Sequence, residues 1–321
     1  MRKTAKRNII ALIITIILVS ILISQINLND VYLIIKNLKP VYFIFAFLIF
    51  ILSNIFRAIR FRFLLQKPIG FLSLFKITSI GIMVNQILPA RAGELSYPYL
   101  FKKTHNISLE EGFSLLISTR IFDLLVIVIL FLLSLFLVIR DGIVKVKILI
   151  LGIIALVITI LIALILLFAG NWILRQIRKI AGKKLNYKFV KSFYNGLGKI
   201  INNLSAIKSP KLFFPLILFS VFIWLTMYFL NYILVRSLGL EFGFFENVFV
   251  ATFCLITSVL PIHGFIGLGT TEGSWAIGML LLGYSKGIAI TSGFGIHIIN
   301  LFFSLIVAVF SFLTIKFKDK I

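Results

Sequence analysis

The chain has 321 residues, 60% of them hydrophobic and only 13% charged. A soluble domain of this length could not hide so much apolar side chain, which excludes a water-soluble globule and points to a polytopic helical membrane protein. Lys and Arg number 33 against 10 acidic residues, a net charge of +23. Much of that surplus falls between apolar runs, where it sets topology and attracts anionic lipid, so nucleic acid is not the expected partner.

Met1 to Asn8 carries Arg2, Lys3, Lys6 and Arg7 ahead of an apolar run. The following Ser24-Gln25-Ile26-Asn27 gives no small-x-small cleavage site, so a retained first span over residues 8–26 is expected. An outer connection follows, then a second span over 42–64 that closes with Arg57, Arg60, Arg62 and Lys67. Pro68 and Gly70 break the chain before an apolar segment at 71–88. Beyond it, Ser108-Leu109-Glu110-Glu111 reads as a capping box that starts a long helix to about residue 139. The next span is expected over 146–168.

Residues 171–210 form a basic connector, with no acid anywhere between Asp141 and Glu241. Val190, Tyr194, Leu197, Ile201 and Leu204 recur there at helical spacing, which predicts a part lying on the membrane face. Later spans are expected over 212–235 and 288–315, with Glu241 and Glu246 in a short loop between the first of these and the segment 249–260. A further helix is expected over 272–282. The single cysteine, Cys254, lies in an apolar run and forms no internal disulfide.

Two stretches stand apart. Asn85-Gln86-Ile87-Leu88-Pro89-Ala90-Arg91-Ala92-Gly93-Glu94 ends one short apolar segment; Thr257-Ser258-Val259-Leu260-Pro261, followed by His263, Gly264, Gly267, Gly269 and Glu272, ends another. Paired apolar segments broken by proline and glycine in corresponding halves mark the binding site of many transporters. If each broken segment returns to the side it entered from, the termini, the Arg57–Lys67 cluster and the basic connector all fall in the cytoplasm. The expected fold class is therefore an all-α integral membrane protein. It is a polytopic helical bundle of about six spans with two re-entrant hairpins in an inverted-repeat arrangement, in one domain over residues 1–321.

Arg91 and Glu94 are three apart and share a face on a continuing helix. They form either a surface ion pair or, with a half-helix starting near Pro89, a site where a guanidinium grips a lipid phosphate. Arg120 and Asp123 repeat the spacing, as an internal salt bridge or as headgroup ligands. Glu272 is either a first-turn carboxylate favoured by the helix dipole or a cavity acid. His263 and His297 read first as hydrogen-bonded packing residues, with proton relay as the other reading. Asn85 and Gln86 face either exposed carbonyls or substrate; Gln25 and Asn54 are expected to bond between helices. There is no P-loop, nucleophile elbow, dinucleotide fingerprint or His/Cys cluster, so no catalytic residue, metal or cofactor is expected.

Leu88-Pro89-Ala90-Arg91-Ala92-Gly93-Glu94-Leu95, then Arg120-Ile121-Phe122-Asp123-Leu124-Leu125, then Gly267-Leu268-Gly269-Thr270-Thr271-Glu272 resemble, in order and spacing, one family. It is the flippase-like membrane family related to the N-terminal domain of lysylphosphatidylglycerol synthases, also called UPF0104. Two departures are Tyr97, where the family often has a basic residue, and Ile266, where its second break usually holds a glycine. The resemblance implies movement of an anionic or aminoacylated phospholipid headgroup between leaflets of the cell membrane. Arg91 and Arg120 would hold the phosphate, and Glu94 and Glu272 would line a polar cavity. The related synthases carry a soluble domain that charges the lipid; this chain ends six residues after its last expected span, so aminoacyl transfer is not expected of it. The alternative is the membrane subunit of a lysyltransferase-like or glycosyl-lipid pathway, working with a separate soluble lipid-modifying enzyme.

Overall fold

The computed structural model describes residues 40–138, 169–182, 187–205, 209–257 and 265–316, with scattered helical positions between 147 and 168. At Pro89, Ala90 and Arg91 only the backbone is described. The expected first span with Gln25, and Pro261 and His263, lie outside the described residues.

The described elements are all helical. Helix α1 spans Pro40–Leu65 and stops where Gln66 turns left-handed (φ 48°) ahead of Pro68. Helix α2, Phe71–Ile87, ends because Leu88 precedes a proline and is held extended (ψ 134°). Pro89–Leu95 forms a 3-10 turn and leads into α3, Ser96–His105, which Asn106 ends in a left-handed conformation. Helix α4 is Leu109–Val138. Ser108 Oγ accepts the Glu111 N–H at 3.2 Å, but the Glu111 carboxylate pairs with Lys67 at 2.6 Å, so the expected capping box is half formed.

Helices α5, Gly170–Ala181, and α6, Lys188–Ser205, make up most of the basic connector. Lys199 of α6 reaches Glu110 in the first turn of α4 at 3.4 Å. Then come α7, Pro210–Ser237, α8, Phe244–Thr257, a short 3-10 turn at Phe265–Gly267, α9, Thr270–Leu281, and α10, Lys286–Thr314. Glu246 is in the first turn of α8 rather than in a loop, and its carboxylate accepts the Gly243 N–H at 2.7 Å. Asn54 bonds the Phe50 carbonyl of its own helix at 2.9 Å, so it is not the expected bridge between helices.

Four described helices, α1, α4, α7 and α10, are long and apolar enough to cross a membrane. Their outward side chains are large and apolar, with Phe136 69% and Leu313 77% exposed, as a lipid-facing surface requires. Helix α1 packs against α7 in antiparallel fashion: Phe45 meets Phe229 at one end and Phe63 meets Phe219 at the other.

Helix α2, with 17 residues, is about 25 Å long, short of the ~30 Å apolar core of a bilayer. The chain folds back on it. Ser73 in the first turn of α2 bonds His105 at the end of α3, 2.7 Å apart, and Gly93 lies directly against the backbone of Val84 and Asn85 near the turn. Helices α8 and α9 repeat the pattern. Cys254 Sγ lies 3.7 Å from the Thr271 carbonyl near the turn, while Tyr284 bonds the Glu246 carboxylate at 2.9 Å at the open end. Burial, aided by that carboxylate, pushes the Tyr284 phenol up to about 12, so the donor is retained at neutral pH.

These two antiparallel pairs open toward opposite ends of the bundle. Lys76 of α2 reaches the carbonyl of Thr314 at the C-terminus of α10, whereas Tyr284 immediately precedes the N-terminus of that helix. Each pair has its own apolar core. Leu74, Ile77 and Phe101 pack with the C-terminal half of α1; Phe249 and Met279 pack with its N-terminal half. The two turns, Pro89–Leu95 and Phe265–Gly267, meet between the cores.

Candidate functional site

Two polar regions lie where the turns meet. The first is a charge cluster. Asp123 on α4 is 1% exposed and Arg60 on α1 is 3% exposed. Arg60 Nη1 donates to Asp123 Oδ1 at 2.5 Å and its Nη2 to Oδ2 at 3.3 Å. Arg120 Nη1 donates to Oδ2 at 3.2 Å, and the indole of Trp224 donates to Oδ1 at 3.0 Å. A carboxylate buried this deeply is tolerable because every lone-pair direction meets a donor. Arg120 Nε also donates to Glu94 at 2.9 Å, which ties the first 3-10 turn to α4. Arg57, one turn before Arg60, lies within electrostatic reach of Asp123 and Arg120, and its Nε has no hydrogen-bond partner among the described residues. Among the described residues, three guanidiniums thus face two carboxylates, leaving one cation in excess.

The second region is a cavity of about 250 Å³, bounded by α2, α7, α8, α9 and α10. Its polar lining is almost entirely neutral: Asn85, Gln86, Asn231 and Asn300 supply carboxamides, and Tyr228 and Thr271 supply hydroxyls. Trp224, Trp275 and His297 add rings, and Ile266 closes the side nearest the second turn. Asn300 Nδ2 donates to Asn231 Oδ1 at 3.2 Å, and Ser304 donates to Gln86 Oε1. Asn85 Oδ1 has no hydrogen-bond partner among the described residues.

Glu272 is fully buried and stands behind His297. Its Oε2 accepts the Gly269 N–H at 2.7 Å, while Oε1 lies 2.7 Å from His297 Nδ1. Glu272 therefore caps α9 from its first turn, as one of its two readings expects, and orients a ring that lines the cavity without lining it itself. Gly267 and Gly269 adopt φ of 76° and 82°, which lets the chain turn sharply into α9.

The expected site residues are thus divided. Asn85 lines the cavity, and Glu94, Arg120 and Asp123 are gathered in the charge cluster. Neither Glu94 nor Glu272 is among the residues lining the cavity. Pro89 starts the first turn and Gly93 packs it onto α2. The Arg91 side chain, His263 and Pro261 lie outside the described residues. Sequence reasoning did not identify Arg57 as part of the cluster or Arg60 as buried, nor Trp224, Asn231 and Asn300 as lining residues. A signal was present: Ser53, Arg57 and Arg60 repeat at four and three positions in an apolar helix, a polar stripe that needs a buried partner.

Residues 8–308 match the family described as the lysylphosphatidylglycerol synthase TM region. Among curated proteins, the chain is similar to glycosyltransferase AglD of Haloferax volcanii, 29% identical over 131 residues, which cover 39% of this chain and 21% of the relative. It is also similar to a UPF0104 membrane protein of Methanocaldococcus jannaschii, 25% identical over 122 residues, 36% of each chain. In both cases the chain spans well under half of the relative's length. No solved structure matches it.

Proposed function

The chain belongs to the lysylphosphatidylglycerol synthase TM region family and is an integral membrane protein, and from that premise we propose that it moves a lipid headgroup between the leaflets of the cell membrane. The observation that carries this reading is the neutral polar cavity where the turns of two oppositely directed helix pairs meet inside an apolar bundle. Irregular backbone at membrane depth is stable only where it is buried in protein or lines a wet cavity, and transporters use such breaks to hold substrate. On this reading both pairs are re-entrant, one from each face, in an inverted repeat, with the termini in the cytoplasm. The phosphate of an anionic or aminoacylated lipid sits against the excess guanidinium of the charge cluster and against Arg91, Arg supplying paired donors. The remainder of the headgroup enters the cavity, while the acyl chains stay in the bilayer. Arg175, Arg178 and Lys179 on α5 concentrate anionic lipid at the cytoplasmic face.

The test is leaflet exchange. The protein alone, reconstituted in liposomes carrying traces of fluorescent phospholipid, accelerates exchange over protein-free liposomes, and Arg91→Ala and Glu94→Gln slow it. No acceleration with any phospholipid removes the reading; full rates in both variants remove the phosphate assignment and leave the function.

A second reading is favoured by the similarity to a protein named a glycosyltransferase: a membrane subunit of a lipid-modifying pathway that works with a separate catalytic protein. It predicts that the reconstituted protein exchanges no lipid until that partner is added.

A further inference from the structure

We propose that the cavity selects an uncharged, hydroxyl-rich headgroup, a glyceryl or glycosyl unit, over one bearing an ammonium group; this rests on the lipid-transport reading above. The chemistry of the wall carries it. Asn85, Gln86, Asn231 and Asn300 come from three helices and converge on one volume. A carboxamide presents a donor and an acceptor side by side, the pattern that pairs with vicinal hydroxyls. Much of this capacity is unspent. Asn85 Oδ1 has no hydrogen-bond partner within the described residues, and the Asn231–Asn300 contact uses the oxygen of the first and the nitrogen of the second, leaving the other amide atom of each out of that bond.

The rings complete the pattern. Trp224 gives its N–H to Asp123, and Trp275 gives its own to Ser292 and Met279. What the two indoles offer the cavity is therefore flat apolar surface, suited to the C–H face of a polyol or sugar ring. His297 turns Nδ1 to Glu272, and with the proton on that nitrogen Nε2 accepts from a hydroxyl.

An ammonium group needs a carboxylate or stacked rings free of competing charge. No carboxylate lines the cavity among the described residues, and the sequence from 258 to 264 contains no acid. Glu272 has both oxygens engaged, and the nearby cluster has a surplus cation that repels a lysyl group. At about 250 Å³ the cavity falls below the ~300–1,000 Å³ of drug-sized pockets, room for a headgroup without its chains.

Two measurements test the inference separately from lipid movement. In the first, the full chain is reconstituted with fluorescent phosphatidylglycerol, glucosyl-diacylglycerol or lysyl-phosphatidylglycerol. The first two exchange at least ten-fold faster than the third, and Asn231→Leu and Asn300→Leu each slow them about ten-fold, the effect of one uncompensated hydrogen bond. Lysyl-lipid exchange at an equal or higher rate overturns the proposal. In the second, Trp172→Phe leaves only the two cavity tryptophans of the chain's three, so fluorescence reports the site directly. Methyl glucoside perturbs the emission at least ten-fold below the concentration of lysine methyl ester that does so. The reverse order, or no response to the glucoside, overturns the proposal. A response to glucoside without exchange of any lipid removes lipid movement and keeps the cavity chemistry, and release of entrapped glucose from the liposomes then identifies a free sugar as the ligand.

Discussion

The indole nitrogen of Trp224 stands 3.0 Å from Asp123 Oδ1 while the same side chain forms a wall of the cavity. The charge cluster and the neutral pocket therefore share one residue. Arg60, Arg120 and Trp224 together fix the position of the carboxylate, and the carboxylate in turn fixes the indole. A headgroup in the cavity and a phosphate at the guanidiniums would lie on either side of one ring.

Replacing Trp224 with Phe keeps a ring and removes the donor. The buried carboxylate then loses one charge-assisted bond, a loss of about 1.5–3 kcal/mol in stability. Thermal unfolding in detergent measures it. A Trp224→Phe protein as stable as the wild type would show that Asp123 does not depend on the indole.

Breaking the Arg60–Asp123 pair from one side costs more than removing it. Asp123→Leu leaves a guanidinium buried without its partner, at about 3–5 kcal/mol, whereas the double variant Arg60→Met/Asp123→Leu recovers most of that loss. A double variant no more stable than the single one contradicts the assignment of Arg60 as the principal partner.

Gly93 permits the first turn to lie on α2. A Cβ there would stand 2.3 Å from the Asn85 Cα and 2.4 Å from the Val84 carbonyl, both backbone atoms that cannot swing away. Gly93→Ala is expected to lower stability by about 1–3 kcal/mol or more and to reduce lipid exchange with it, because Asn85 is pushed from its place in the cavity wall. Unfolding temperature and exchange rate of the same preparation test the pair of effects together.

Ile266 is held at φ 59°, a conformation that costs a β-branched residue about 1–2 kcal/mol. Truncating a fully buried isoleucine costs ~2–5 kcal/mol, and Ile266 is half-buried, so its lost contacts fall at or below the low end of that range. Ile266→Gly is expected to cost less than about 1 kcal/mol, since relief of the left-handed strain offsets the lost contacts. A full truncation penalty in urea or thermal unfolding would show that the strain is not stored there.

The sequence carried the one-dimensional part of this architecture well. The span expected at 42–64 is Pro40–Leu65, and the segment expected at 71–88 is Phe71–Ile87, because a Pro-Gly break and a Leu-Pro break are local steric events. Family membership, too, was legible from three motifs. Long-range pairing was not. Spacing pairs Asp123 with Arg120 three residues earlier, and that bond exists at 3.2 Å, but Arg60, 63 positions away, holds the carboxylate more closely. Nothing in spacing ranks a basic residue that sets topology against one that is buried; both sit at the end of an apolar run. Asn231 and Asn300 are inconspicuous in the sequence for a related reason. One carboxamide in a long apolar helix is ordinary, and its meaning emerges only when the turns of two distant helix pairs bring Asn85 beside it.

The single cysteine makes the central claim directly testable. Cys254 lines the cavity where the two turns meet, so a bulky maleimide attached there occupies the path assigned to the headgroup. The measurement is lipid exchange in proteoliposomes before and after complete modification, with mass spectrometry fixing the extent and Cys254→Ser as the unmodifiable control. The account predicts that modification abolishes exchange in the wild type and leaves the Cys254→Ser protein unaffected. Undiminished exchange by the fully modified wild type would contradict it.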